Sequence, residues 1–517
     1  MLMKRPLRTS ACVLFALLAL CLATSAIAKS VQPSGVVTEG LAGATIKLQM
    51  LAPGVLHVHV VPASGATLPS LVIDPHGLSG STFKPVVTHH GNAFTLSSDR
   101  MSATMDPKAG TLLVTNRQGV VLLRQSEVMA LASGRIVLDH AAGDALYGIG
   151  GFEANQPVTA GLLRSGKQIA QAGKQGHAGA PFVWSTAGYG VLVDCDGAEF
   201  DLAKGRIAVD NFKRPDADYY ILVGTPTELF GELAKLSGPA PLFPKWAMGF
   251  ANSQWGIDQK ELLAIVKTYR AKHIPLDNFT LDFDWKAWGQ GDYGEFRWNP
   301  EKFPDGASGK LAKMLDAEGV KLTGIMKPRL LLGTAEGDYA TAHDLWIPGE
   351  QAYPEYFSHK QAKDVDFDKP AARRWFAGLA MKYGFDKGIV GWWNDEADVY
   401  GKDGTLTSNT QFLNMQRALY DAQRAQTSQR VWSINRTFWL GSQRYAYGMW
   451  SGDIDTGFAS MAAQRTLMLS AVNVGATQWG MDGGGFNGHP SDENYARWIQ
   501  FGAFTPIFRV HGTFNEK

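Results

Sequence analysis

The chain has 517 residues, 45% of them hydrophobic and 19% charged, which excludes an intrinsically disordered protein and leaves room for two or three domains with their own cores. Its 49 Lys and Arg offset 48 Asp and Glu; a formal net charge of +1 supplies no basic field to recruit nucleic acid or an anionic membrane.

Residues 1–28 read as an export signal. Lys4, Arg5 and Arg8 form a basic start, Ala11 to Ala23 an apolar stretch, and Ala26-Ile27-Ala28 a small-residue cleavage site. The apolar stretch is short for a membrane span. Cleavage removes Cys12 and Cys21 and leaves Cys195 alone, so no intrachain disulfide and no cysteine-built zinc site is expected. The mature chain is expected to be exported, periplasmic or secreted, and free of the membrane.

Residues 29–238 have the texture of an N-terminal antiparallel β-sandwich. Short β-branched or alternating runs such as Leu56–Val60 and Thr111–Val114 are separated by Gly, Pro, Asn and Asp turns. Thr225–Leu233 reads as a short helix leaving this domain, and the proline-rich Pro239–Pro244 as a stiff linker.

Residues 239–517 change to alternating strands and helices. Asp258 and Glu261 have capping-box spacing before a helical face of Leu262, Ile265, Val266 and Tyr269. Three further faces follow: Leu311, Met314 and Leu315; Trp375, Phe376 and Leu379; Phe412, Met415 and Leu419. Short apolar runs start near Met248, Asn278, Lys321, Ile389, Val431, Tyr447, Ala476 and Thr505, and eight such units predict a closed (β/α)8 TIM-type barrel. The sequence ends at Lys517 without an eighth helix, so the barrel is expected to lack its last helix and any C-terminal β-domain, with the natural protein continuing further. Most of the 15 Trp are expected in the cores.

Active sites of such barrels lie at the C-terminal ends of the strands. Asp282 follows the second run, Asp395 the fourth, Arg436 the fifth, Asp453 the sixth, Asp482 the seventh and His511 the eighth. One Asp at a strand end can simply cap the next helix. Six polar or charged groups converging on one rim point to chemistry. Carboxylates with aromatics suit glycoside cleavage, in which one carboxylic acid protonates the leaving oxygen and one carboxylate attacks or stabilises the anomeric carbon. A metal-dependent barrel hydrolase is disfavoured, because the strand-end set has one His and no H-x-H or H-E-x-x-H pair. The residues leave retention and inversion both open.

At these segments the chain resembles glycoside hydrolase family 31, the α-glucosidase family. The resemblance runs from Leu146-Tyr-Gly-Ile-Gly150 through Pro244–Phe250, Trp298–Asp305, Val365–Pro370 and Trp450-Ser-Gly-Asp453 to Arg509-Val-His-Gly512. It implies a retaining, exo-acting enzyme that cleaves α-glycosidic bonds at the non-reducing end of an oligosaccharide, α-glucosidase first, without cofactor or metal. Asp395 resembles the family's nucleophile and Asp453 its acid/base; Asp282, Arg436 and His511 match residues that hold the sugar hydroxyls. Asp482 matches a family loop with either a structural or a ligand-contact role, and Trp393 and Trp450 are candidates to wall the sugar. The alternatives are α-galactosidase or α-N-acetylgalactosaminidase specificity, transglycosylation, and a non-catalytic sugar-binding homologue. Two departures bear on the sugar: Glu396 follows Asp395 directly, and Lys327-Pro328 stands where the family has Asp-Pro or Asn-Pro. Lys327 is a candidate either to meet a substrate carboxylate or to bridge a neighbouring acid.

Overall fold

The computed structural model describes residues 30–31, 36–41, 44–70, 72–126, 134–150, 162–287, 296–355, 358–398 and 408–514; the export-signal segment lies outside them. The N-terminal part is β-rich and forms two sheets, one of nine strands and one of eight that gains a ninth, Phe438–Trp439, from the C-terminal part. Period-two burial builds them. In Met101–Asp106 every second residue is buried, and in Val55–Pro62 the apolar Leu56, Val58 and Val60 face inward while His57 and His59 face out. Leu48, Leu56, Val58, Tyr219 and Ile221 of one sheet share a core with Phe94, Leu96, Met105 and Leu112 of the other.

Strand Ala178–Ser185 breaks the alternation because all eight of its residues are buried. Its outer face joins the core of the C-terminal part through Ala180, Phe182 and Trp184. A helix, Pro226–Ser237, follows the β-rich region; the Thr225 hydroxyl and the Glu228 carboxylate cap it reciprocally. The proline segment then leads into a short 3-10 turn, Lys245–Met248.

Eight parallel strands follow: Phe250–Gln254, Asn278–Leu281, Lys321–Met326, Ile389–Asn394, Ser433–Asn435, Tyr447–Trp450, Trp479–Gly480 and Phe508–Val510. The eighth pairs with the first. Isolated parallel bridges, Gly480 with Ile507 and Gly483 with Val510, bring the seventh and eighth together. Gly480 is dictated there, since a Cβ would lie 2.7 Å from both the Cβ and the carbonyl oxygen of Ile507. Helices Gln259–Ala271, Lys310–Ala317, Pro370–Tyr383, Gln411–Gln426, Phe458–Val472 and Asp492–Gly502 cover the barrel. Asp258 caps the first of them by accepting the Glu261 N–H at 2.8 Å.

Strict alternation fails once. Between the fifth and sixth strands the described chain forms only a 3-10 turn, Ser442–Tyr445, and no α-helix. The connection instead sends Phe438–Trp439 to pair in parallel with Ala178 and Gly179 of the N-terminal sheet, and a buried strand contact replaces the covering helix. Eleven of the 15 Trp are buried, with Trp285, Trp392, Trp432, Trp439, Trp450, Trp479 and Trp498 fully so, and packing therefore accounts for most of the tryptophan. No described helix is long and apolar enough to cross a membrane.

Candidate active site

The C-terminal ends of the strands bring acids and bases together in dense pairs. The fourth strand is apolar and buried to its last residues, Trp392, Trp393 and Asn394. Asn394 locks inside the barrel by donating to Asn435 and Gln416 at 2.7 and 2.9 Å. Asp395 then emerges at the mouth, its N–H donating to the Met326 carbonyl at 3.0 Å. Arg436 of the fifth strand's end approaches Asp395 at 3.4 Å and Asp398 at 2.6 Å.

Glu396 turns away under different partners. It is 2.7 Å from Arg329 and 3.1 Å from Lys327, whose ammonium lies 3.7 Å from Asp395. Its φ of +55°, in the left-handed region, directs the side chain to those two cations. Burial raises the Glu396 carboxyl, but the cations outweigh it and hold it at about 2. Asp395 goes the other way: burial lifts it, with Arg436 opposing. Lys327 therefore bridges neighbouring acids.

Asp453 lies three residues past the sixth strand. Burial and the Asp395 charge push its carboxyl up to about 7 against the pull of Arg436. Asp282 caps the turn after the second strand by accepting the Phe283 N–H at 2.7 Å, and burial pushes it to about 8. His511 pairs through Nδ1 with the Ser253 carbonyl at 3.2 Å and places Nε2 3.6 Å from Asp282. Burial and Arg509 keep the imidazole well below its usual value, hence neutral.

Asp482 forms a wholly buried ion pair with Arg509, at the seam between the seventh and eighth strands. Burial still lifts Asp482 to about 6. The Arg509 guanidinium spreads over Trp393 at 4.7 Å and Trp450 at 5.5 Å. Trp393 meets both Trp450 and His511 edge-on, with ring centres 5.8 and 5.0 Å apart. Both Trp393 and Trp450 are buried beside these groups, at 3% and 1% exposure. All eight sequence candidates thus fall at or just below one end of the barrel. Sequence reasoning assigned nothing to Arg329, Asp398 or Arg509. Arg509 opens a segment that carries the family resemblance and Asp398 follows Asp395 by three residues, but Arg329 reaches the site from a side strand, Arg329–Leu331, with no local signal.

Outside the barrel, His59, Asp216 and Asp218 lie close enough to hold a metal ion. Their oxygens are spent on protein donors: Arg214 donates twice to Asp216, at 3.0 and 2.9 Å, and His57 pairs with Asp218 at 2.7 Å.

A buried carboxyl near neutrality beside a cation-flanked carboxylate can donate a proton to one side of a bond while the second group attacks the other. Comparisons with known proteins agree with that chemistry. Residues 240–517 match the family described as "Glycosyl hydrolases family 31 TIM-barrel domain". The chain is 35% identical over 509 residues to the 1,6-alpha-glucosyltransferase of Sporosarcina globispora, covering 91% of this chain and 39% of that protein. It is 26% identical over 457 residues to the alpha-xylosidase of Saccharolobus solfataricus, covering 81% of this chain and 60% of the relative. The chain therefore spans less than two thirds of either relative. Among solved structures, the GH31 alpha-xylosidase from a soil metagenome, complexed with xylose, superposes with a TM-score of 0.79 at 21% identity, over 93% of this chain and 76% of the other. The GH31 dextranase of Flavobacterium johnsoniae, complexed with glucose, gives the same TM-score at 19% identity, over 94% and 64%. The chain belongs to glycoside hydrolase family 31.

Proposed function

We propose that this chain is a retaining, exo-acting α-glycosidase with Asp395 as nucleophile and Asp453 as acid/base. The observation that carries the assignment is the division of labour between adjacent carboxylates. Glu396 is tied to Lys327 and Arg329, whereas Asp395 faces Arg436 at the mouth. In the first step Asp453 gives its proton to the leaving oxygen as Asp395 bonds to the anomeric carbon and the glycosidic C–O bond breaks. In the second, ionised Asp453 takes a proton from water, the water oxygen bonds to the anomeric carbon, and Asp395 leaves. A group needed in both protonation states works best with a value near neutrality, as at Asp453. Asp282, His511 and Arg436 hold the sugar hydroxyls, Trp393 walls the ring, and Asp482 and Trp450 support the floor.

The substrate is a neutral sugar in α-linkage, α-glucoside first. Lys327 is committed to Glu396 at 3.1 Å and faces Asp395, which argues against its serving a substrate carboxylate. Transfer to a sugar acceptor is the second reading, favoured by the 35% identity to a glucosyltransferase. The proposed organisation is an exported protein with a β-sandwich at 29–238 and a catalytic barrel from 239, acting without a cofactor. Initial rates on aryl α-glucoside, α-galactoside, α-xyloside and α-N-acetylgalactosaminide, with Asp395→Ala beside the wild type, test the reading. Turnover of one sugar that is lost in the variant supports it. A folded protein that turns over none of them, yet still binds sugar, is a binding homologue instead.

A further inference from the structure

A polar turn of the N-terminal region, Gln171–His177, sits between strands Gly166–Ala170 and Ala178–Ser185. The barrel grips it at several points. Asn409 accepts the Ala172 N–H at 2.7 Å, the Arg436 carbonyl accepts the Gly176 N–H at 2.8 Å, and the Phe438 N–H donates to the His177 carbonyl at 3.1 Å. Within the turn, His177 Nδ1 pairs with the Ala172 carbonyl at 2.8 Å. Held this way, Gln175 reaches over the end of the sixth barrel strand, and its Oε1 accepts the N–H of Asp453 at 3.1 Å. Gly452 makes room for it: φ there is +83°, and a Cβ would lie 2.9–3.0 Å from the Gln175 side chain. On the other side, Asn487 donates to the Asp453 carbonyl at 3.1 Å. The backbone of Asp453 is thus pinned from both ends, once by a residue 278 positions away.

We propose that Gln175 is a positioning residue for Asp453, so that proton transfer to the leaving group depends on a side chain the barrel itself does not carry. The inference rests on the glycosidase reading and extends the same site. Proton transfer is steep in geometry, and a misplacement of about 1 Å can cost on the order of a hundredfold in rate. A backbone amide that loses its acceptor on the rim is free to seek another, and the carboxyl moves with it.

The test uses the full chain and two substrates of the sugar that the wild type turns over. An α-glycosyl fluoride has a leaving group that needs little acid assistance; the methyl α-glycoside depends on it. For Gln175→Ala, kcat/KM should fall by about tenfold or more on the methyl glycoside and change little on the fluoride. Gln175→Glu keeps an acceptor oxygen at the same reach and should restore most of the loss, each variant being read at its own pH optimum. If the Ala variant fails to fold, as judged by circular dichroism, Gln175→Leu carries the same comparison. Equal losses on both substrates, or no loss on either, would overturn the inference while leaving the glycosidase reading intact. A folded wild type inactive on both substrates would instead remove that reading, and this inference with it.

Discussion

Asp453→Asn exposes a cost that the proposed chemistry imposes on stability. Burial and the Asp395 charge hold the Asp453 carboxyl at about 7, against an ordinary 3.8. The folded chain therefore keeps a proton that the unfolded chain gives up, and the ionised carboxylate is a stability deficit. That deficit is absent below pH 3.8, grows as the pH rises from 3.8 to about 7, and is complete above 7. At 1.36 kcal/mol per pKa unit it amounts to about 4 kcal/mol. Asp453 keeps part of its surface open to solvent, and screening brings the expected figure nearer about 1–2 kcal/mol. Asparagine has no charge to bury. The variant should melt a few degrees above the wild type at pH 8, with the gap closing toward pH 4, and should lose kcat/KM on glycosides that need protonation. In the wild type the same titration should make kcat/KM fall as pH rises through about 7, because the first step uses the protonated acid. Thermal melts at pH 4, 6 and 8 beside a pH–rate profile measure both. A melting difference that stays flat with pH, or favours the wild type at pH 8, would falsify the claim that the buried carboxyl is strained by its charge.

Three further outcomes are expected. Asp395→Ala should lower turnover by a factor on the order of 10⁴ or more, and added azide should restore it with a product of opposite anomeric configuration. Glu396→Gln should lose less and show no such product; azide rescue in the Glu396 variant alone would reverse the assignment. Arg509→Met leaves Asp482 buried without its cation and should cost about 3–5 kcal/mol, whereas Arg509→Met with Asp482→Leu should recover most of it. A denaturation series reads both, and a double variant no better than the single would show that the pair itself carries the seam. Lys327→Met removes a cation beside Asp395 and Glu396, so the carboxylates hold protons to higher pH. The acidic limb of kcat/KM should move upward, and an unmoved limb would place the cation's influence elsewhere.

What could be read in the sequence was local. Each barrel strand announces itself by a short apolar run, and the run starts near Asn278, Lys321, Ile389 and Tyr447 coincide with the first residues of their strands. The others fall two or three residues early; Val431 and Trp432, which precede the strand at Ser433, are as buried as it is, whereas Met248, ahead of the first strand, is exposed. Strand ends set the rim, so candidates one to three residues beyond them gather without any knowledge of contacts. The missing helix between the fifth and sixth strands had no such cue, since Phe438–Trp439 finds its partner in a strand about 260 residues earlier in the chain.

The same reasoning locates where legibility stops inside the site. Asp395 and Glu396 are adjacent carboxylates, and nothing in the order of two letters says which faces the mouth. The answer lies in Arg329, which arrives on a side strand paired with Gln361–Asp364, and in Lys327, which directly follows the last residue of the third barrel strand. Together they take up Glu396 at 2.7 and 3.1 Å. A lysine in that position reads from sequence as a candidate hand for an acidic substrate; once folded, its charge is answered from within. Under the proposed assignment, a site that neutralises its own cations this way spends little attraction on a charged ligand and relies on hydroxyl hydrogen bonds and an aromatic wall. On the proposed reading, the charge pairing around Asp395 bears on the substrate as well as on the choice of nucleophile.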